Sequence, residues 1–495
     1  MDNETKNDIS AIFATQIKGV KRADIIELEI TDFAFGGMGI GKVETNEGQF
    51  IIFVENAIPG QKVLTRIAKK RKKYAEGKLL EVLQRSKDEV TVPYQPVSGA
   101  PYISLPIDKQ RAYKKSTTLD QYKRIGGIQN IDELFDEYIA SPADFNYRNK
   151  MEYSFSTIRQ DLATATEEDD AFALGFKTRG TWWKVENLDK ESGLFDADFE
   201  NELKEVRTFL EKTNLPAWHP PKKIGFFRHL VVRKSFDKNQ LLINLVTSSQ
   251  ELEKFDRNAF TAFMTTRFGD RLAGLQHTIN DDVADRSKIE NGQNQLLFGA
   301  PVVLEKLLGL QFEISMESFF QTNPKSAELL YSKAIQYATQ NAALKGEVLM
   351  DLFCGTGTIG QIMASQIENV KVVGVDIVAE AIEDAKRNAK RNKISNVDFY
   401  AADVGKFLVQ YPNYAGKIHT IMLDPPRAGI APKTLQKVID LNAKQIVYVS
   451  CNPSTQARDA QTMAAAGYAL KRLSLVDQFP HTSHIEAVAL FERTS

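Results

Sequence analysis

Residues 348–360 read Val-Leu-Met-Asp-Leu-Phe-Cys-Gly-Thr-Gly-Thr-Ile-Gly, an apolar run that ends in a glycine-rich turn. A short apolar run bounded by glycine reads as a buried strand, and a turn that opens into a helix commits that strand to a parallel sheet. The pattern then repeats. Val370–Asp376 is a strand with a helix from Ala379 to Asn392 behind it; Val397–Tyr400, Ile418–Asp424, Gln445–Ser450, Tyr468–Leu475 and Ala487–Phe491 follow. Five strand–helix units closed by two late strands predict a doubly wound, mostly parallel α/β sheet from about residue 316. In such sheets ligands sit outside the carboxyl ends of the strands.

The rest of the chain reads differently. A length of 495 leaves room for about 3 domains. Residues 24–85 are short alternating strands (Asp24–Ile30, Phe50–Val54, Lys62–Ala68, Glu76–Gln84) around a turn cluster, Phe35-Gly-Gly-Met-Gly-Ile-Gly41, which predicts a small β-barrel. Net charge is only −1, yet residues 61–87 carry ten Lys/Arg against Glu76 and Glu81, five of them consecutive at 69–73. Local basic density of that kind is a footprint for phosphate, and a barrel with a basic hairpin suits RNA. Residues 90–105 mark a domain edge, and Lys109–Ile125 is a helix. Residues 145–315 give β-type segments, with Asp161–Asp170 a polar loop, and predict an α+β domain. The opening Met-Asp-Asn-Glu-Thr-Lys-Asn-Asp has no apolar signal core, no apolar run is long enough to span a membrane, and two cysteines cannot form a disulfide framework. A cytoplasmic location is expected.

Three strands of the C-terminal sheet end in an acid. Asp351 precedes Gly355 by four, Asp376 follows Gly357 by nineteen, and Asp403 ends Tyr400-Ala-Ala-Asp. Gly355-Thr-Gly357-Thr-Ile-Gly360 matches the dinucleotide fingerprint, so a nicotinamide oxidoreductase is a rival reading. An acid on the first strand, however, repels a pyrophosphate and suits a cation. S-adenosylmethionine carries a sulfonium and an ammonium and no phosphate. Asp376 then takes its ribose hydroxyls and Asp403 its adenine amine.

The fourth strand ends in Asp424-Pro-Pro-Arg-Ala-Gly429, where proline forces a turn that places Asp424 over the cofactor. Cys451 ends the fifth strand, and Phe479-Pro-His-Thr-Ser-His-Ile-Glu486 precedes the last. A thiol, a carboxylate and a methyl donor together fit methylation of a pyrimidine carbon. Carbon 5 of uracil is a weak nucleophile. Attack of a thiolate at carbon 6 makes an enolate whose carbon 5 can take the methyl, and a carboxylate then removes the carbon 5 proton. Cys451 is the nucleophile and Glu486 the base in this reading, with the target base flipped out of any stack. Cys354 packs beside the cofactor; His481 and His484 orient Glu486, touch RNA, or make a structural hydrogen bond.

These residues closely resemble the RNA (uracil-5-)-methyltransferase family, across nearly the whole chain. Residues 17–85 look like its TRAM domain, an RNA-binding barrel. Tyr147-Arg-Asn-Lys-Met-Glu-Tyr-Ser154 and Leu174-Gly-Phe176 resemble its central RNA-binding domain. Ser318-Phe-Phe-Gln-Thr-Asn323, Asp351–Gly357, Asp424-Pro-Pro-Arg427, Ser450-Cys-Asn-Pro453 and His481-Thr-Ser-His-Ile-Glu486 resemble its catalytic motifs. The resemblance implies that Gln321, Phe353, Thr358, Asp376, Asp403 and Asp424 bind S-adenosylmethionine, and that Cys451 and Glu486 are catalytic. Asp376 stands where the family often has glutamate. The resemblance further implies an OB-like TRAM barrel at 17–86, a central α+β RNA-binding domain at 87–315 and a Rossmann-like methyltransferase domain at 316–495. The barrel tilts the substrate towards 23S rRNA, with tRNA as the alternative, and a monomer is expected. Many members hold a four-cysteine iron–sulfur cluster; Gln95–Ser104 and Lys190–Ser192 at the matching places have no cysteine, so no cluster is expected. A non-catalytic RNA-binding protein is the reading from another class.

Overall fold

The computed structural model describes residues 19–161, 166–178, 181–282, 293–340 and 346–494. The polar opening, residues 17 and 18 of the predicted barrel and residues 162–165 of the predicted acidic loop lie outside the described residues. The chain divides into two units. One holds the described residues through Pro93 with Pro101–Arg124 and His481–His484; the other holds Tyr94–Ala100, Ile125–Pro480 and Ile485 onward.

The first unit contains a closed five-stranded barrel of Ile25–Phe33, Gly39–Thr45, Gly48–Glu55, Lys62–Lys70 and Tyr74–Gln84. Alternation builds it: Ile26, Leu28, Ile30, Ile52, Val54, Val63, Ile67 and Ala75 point inward and are buried. The predicted turn over residues 35–41 is only partly a turn, because a strand begins at Gly39. A Cβ on Gly39 would lie 2.8 Å from the Ala57 carbonyl oxygen, and one on Gly41 would lie 2.1 Å from Leu28, so glycine here serves close strand packing. The basic run crosses the tight turn between the last two strands, where Arg71 N–H donates to the Tyr74 carbonyl at 2.8 Å, and residues 69–73 are all exposed. The helix Ile107–Arg124 completes the unit's larger elements.

The second unit holds a nine-stranded sheet between Lys150 and Gly299, a hairpin of Val302–Leu307 and Leu310–Ser315, and an eight-stranded sheet. Within the predicted acidic loop, Thr166–Glu168 pairs with Arg159–Asp161. The eight-stranded sheet runs, in spatial order, Val397–Ala401, Lys371–Asp376, Val348–Leu352, Ile418–Leu423, Gln445–Ser450, Glu486–Arg493, Tyr468–Val476 and Phe135–Ile139. The first five are parallel, and Glu486–Arg493 is antiparallel to both its neighbours. Strand order reverses beside Val348–Leu352, where doubly wound sheets open a crevice. The last strand, Phe135-Asp-Glu-Tyr-Ile139, comes from far upstream; its two central acids hide it from an apolar-run search.

One core joins these elements. Leu242 and Val246 from the nine-stranded sheet, Phe312 and Ile314 from the hairpin, and Leu349, Val447 and Leu490 from the other sheet are all buried in it. Where cysteines were missed in the sequence, Gln95 ties the chain together. Its side-chain amide donates to the Asn187 carbonyl at 2.7 Å and accepts from Asp189 N–H and Lys190 N–H at 3.0 and 3.2 Å. Among the described residues no helix is long and apolar enough to cross a membrane.

Candidate active site

The glycine turn after Val348–Leu352 is built on two carboxylates. Phe353, Gly355 and Gly357 all take positive φ, at 63°, 52° and 72°. A Cβ on Gly357 would sit 2.5 Å from the Phe399 ring, so the turn accepts no side chain there. Asp351 accepts from Gly360 N–H at 2.7 Å, in the first turn of the helix Thr358–Gln366. Asp376 accepts from Gly355 N–H and from Val378 N–H, both at 2.9 Å. Asp351 is fully buried, and its other oxygen has no hydrogen-bond partner. Burial, with Asp424 and Asp376 nearby, pushes its carboxyl up to about 8 against the pull of the Gly360 hydrogen bond.

Gln321 enters the same space from the loop before the helix Pro324–Thr339. It is 8% exposed, and its backbone carbonyl accepts from the Asn149 amide at 3.0 Å. Its side chain hydrogen-bonds Tyr331, which is buried on that helix and feels Asp424, Glu486 and Asp351 together. Asn323 caps the helix through Ser326 N–H and donates to the Gln478 carbonyl, which fixes the loop.

Strand register assembles the rest. Gln445–Ser450 pairs antiparallel with Glu486–Arg493, Ser450 opposite Ala487, so Cys451 and Glu486 leave neighbouring strand ends side by side. Asn452 donates from its side chain to the Arg427 carbonyl at 3.1 Å, tying the thiol's loop to the Asp424-Pro-Pro-Arg427 loop. Burial pushes the Cys451 thiol up to about 11; Glu486 and Asp424 add to the rise, while the charge of Arg427 and its hydrogen bond to the sulfur oppose it. Glu486 is 2% exposed, and burial with Asp424 beside it raises its carboxyl to about 8, Arg427 working the other way. Burial alone lifts Asp424 to about 7.

The structure therefore gathers Gln321, Asp376, Asp424, Cys451 and Glu486 with Asp351. Phe353 and Thr358 flank the turn itself, the Thr358 hydroxyl lying 3.5 Å from that of Thr356. Asp403 stands apart: it is exposed, with Lys437 Nζ at 3.8 Å. Cys354 packs in the turn, its thiol pushed up by burial and then by Asp351 and Asp376. His481 belongs to the barrel-bearing unit, where its Nδ1 lies 3.0 Å from the Gln110 amide nitrogen and its N–H donates to Gln110 Oε1 at 2.9 Å. That is the structural hydrogen bond among its three readings. His484 is exposed in the same unit, its N–H donating to the Thr482 hydroxyl.

Sequence reasoning gave no role to Arg427 or Tyr331. Arg427 was visible as the polar end of a proline turn; Tyr331 is an ordinary inward position of an amphipathic helix and carried no signal. Several buried carboxyls with few opposing cations fit a ligand that brings positive charge, and they repel a pyrophosphate.

Comparison with known proteins identifies the relatives of this chain. The family described as tRNA (Uracil-5-)-methyltransferase matches residues 303–494, and the TRAM domain matches residues 20–80. An uncharacterized RNA methyltransferase of Caldanaerobacter subterraneus subsp. tengcongensis is 36% identical over 476 residues, covering 96% of this chain and 100% of that one. Another, of Clostridium acetobutylicum, is 35% identical over 483 residues, covering 96% and 99%. The solved Pyrococcus abyssi tRNA (uracil-54, C5)-methyltransferase in complex with S-adenosyl-L-homocysteine superposes with a TM-score of 0.70 at 26% identity, over 94% of this chain and 100% of that one.

Proposed function

The chain belongs to the S-adenosylmethionine-dependent RNA (uracil-5-)-methyltransferases, and from that membership we propose that it methylates carbon 5 of a uridine in 23S rRNA through a covalent adduct on Cys451. The observation that carries this reading is the pairing of Ser450 with Ala487, which sets a thiol and a carboxyl at adjacent strand ends. Cys451 adds through sulfur to carbon 6 of the uracil, and Arg427, hydrogen-bonded to that sulfur, favours the thiolate. Glu486 takes the carbon 5 proton, and the bond between carbon 6 and sulfur breaks to release Cys451.

Gln321, Phe353, Thr358, Asp376 and Asp424 hold the donor, and Asp403, sharing its carboxylate with Lys437, reaches the adenine end. Bound there, S-adenosylmethionine supplies an electrophilic methyl group on a sulfonium. Residues 17–86 and 87–315 grip RNA, and 316–495 carry the chemistry.

A tRNA substrate is the second reading. The Pyrococcus abyssi enzyme acts on tRNA and matches 94% of this chain, so a barrel at the N-terminal end does not separate the two substrates. Incubating the protein with methyl-labelled donor and separate 23S rRNA and tRNA transcripts, then digesting to nucleosides, tests both. Labelled 5-methyluridine from 23S rRNA supports the first reading, and from tRNA the second. Its absence from both overturns the assignment.

A further inference from the structure

Asp351, Asp424, Cys451 and Glu486 lie at or just past the ends of four consecutive strands of one sheet. Asp351 is fully buried and Glu486 nearly so. Arg427 is the cation that acts on Glu486, and it opposes the rise of that carboxyl. One Asp351 oxygen has no partner at all. Asp351 is faced by Asp376, Asp424 and the Cys354 thiol; Glu486 is faced by Asp424, Arg427, Cys451 and Tyr331.

Like charges that are buried at neighbouring strand ends and act on one another disfavour full ionisation of all three. Burial raises Asp351 and Glu486 to about 8 and Asp424 to about 7, which favours the protonated forms of the cluster. That state contradicts the role of Glu486, because a base must arrive as carboxylate. Something has to empty the cluster before the last step and let it refill during it.

We propose that Asp351, Asp424 and Glu486 act as one proton-holding cluster, emptied by the positive charge of the methyl donor and refilled at Glu486 by the proton leaving carbon 5. A fixed cation beside the carboxyls stabilises their ionised forms, and the displaced proton goes to solvent. In the closing step the electrons of the C5–H bond form the C5=C6 double bond, the C6–S bond breaks to give the Cys451 thiolate, and the proton passes to Glu486. By then the donor's sulfur is a neutral thioether, and only Arg427 is left to oppose the burial and Asp424 that favour Glu486 keeping that proton. Charge on the ligand thus times the base. Tyr331, which touches Gln321 and feels all three acids, lies where donor and cluster meet. The inference rests on the donor site and base assigned above.

The test needs no RNA and no turnover. The full chain is titrated by calorimetry at pH 7 in two buffers of different ionisation heat, which counts protons released on binding. Three ligands are compared: S-adenosylmethionine, its product S-adenosylhomocysteine, which has lost the sulfonium charge and is net neutral, and sinefungin, which carries an ammonium in place of the sulfonium and has no methyl to give. The two cationic ligands are expected to release more protons than the product, by about half a proton per site. In Glu486→Gln and Asp351→Asn that difference shrinks, with folding checked by melting and by retained product affinity. Equal release by all three ligands overturns the inference and leaves the donor site standing. Failure of every ligand to bind overturns the donor site, and the inference with it.

Discussion

Cys451 is a poor nucleophile in the geometry described, and Arg427 is the group that corrects it. Burial, Glu486 and Asp424 all favour the neutral thiol. A hydrogen bond from a charged donor contributes about 1.5–3 kcal/mol, so Arg427→Met should lower single-turnover methyl transfer at pH 8 by about 10- to 100-fold. The sign of the pH effect follows. The thiolate is the reactive form, and removing the cation raises the thiol further, so the rate must recover as pH increases. A pH–rate profile that keeps the wild-type position would refute this role. Glu486→Gln separates the two halves of the reaction. Adduct formation and methyl transfer should proceed once per enzyme, while turnover falls by about 100-fold or more because a general base is missing. A denaturing gel should then show methylated RNA held on protein. Cys451 and Asp424 stood out in the sequence because each follows a strand beside a proline turn, and Glu486 because it opens the last strand behind a polar loop. Asp403 was read by the same rule, and the structure leaves it exposed beside Lys437. Which acids converge depends on neighbour order in the sheet, which strand ends do not encode.

At the scale of elements, the turn from residue 353 to 358 combines two separable constraints. Gly355 and Gly357 share positive φ, but a Cβ on Gly355 meets nothing within 4 Å, whereas one on Gly357 strikes Phe399. Gly355→Ala should cost only the backbone strain, about 1–2 kcal/mol. Gly357→Ala should cost clearly more and also weaken product binding, since Phe399 or the helix must move. Thermal melting with and without S-adenosylhomocysteine measures both; equal losses for the two variants would contradict the packing argument. Glycine position and the β–α alternation made this region readable in advance. Two strands were not: Gly39–Thr45, masked by glycines that serve strand packing, and Phe135–Ile139, a short edge interrupted by two acids, whose partner lies more than 300 residues away in sequence. Composition reports burial better than it reports pairing.

At the scale of the whole molecule, a net charge of −1 coexists with an exposed basic run at residues 69–73. If that run grips RNA backbone, replacing Lys70, Arg71, Lys72 and Lys73 by alanine should weaken RNA binding for every sequence tested. It should also flatten the dependence of log K on log salt by about 3 units, with kcat at saturating RNA unchanged. An unaltered salt slope would place the electrostatic contact elsewhere. The claim that joins both units is covalent methylation of a uridine, and 5-fluorouridine-substituted RNA addresses it most directly. Fluorine at carbon 5 leaves no proton for Glu486 to remove. With S-adenosylmethionine present, mass spectrometry under denaturing conditions should find an RNA–protein adduct on the peptide containing Cys451, and none in Cys451→Ala. Methylation of normal RNA without any trapped adduct, or an adduct mapped to Cys354, would contradict the account.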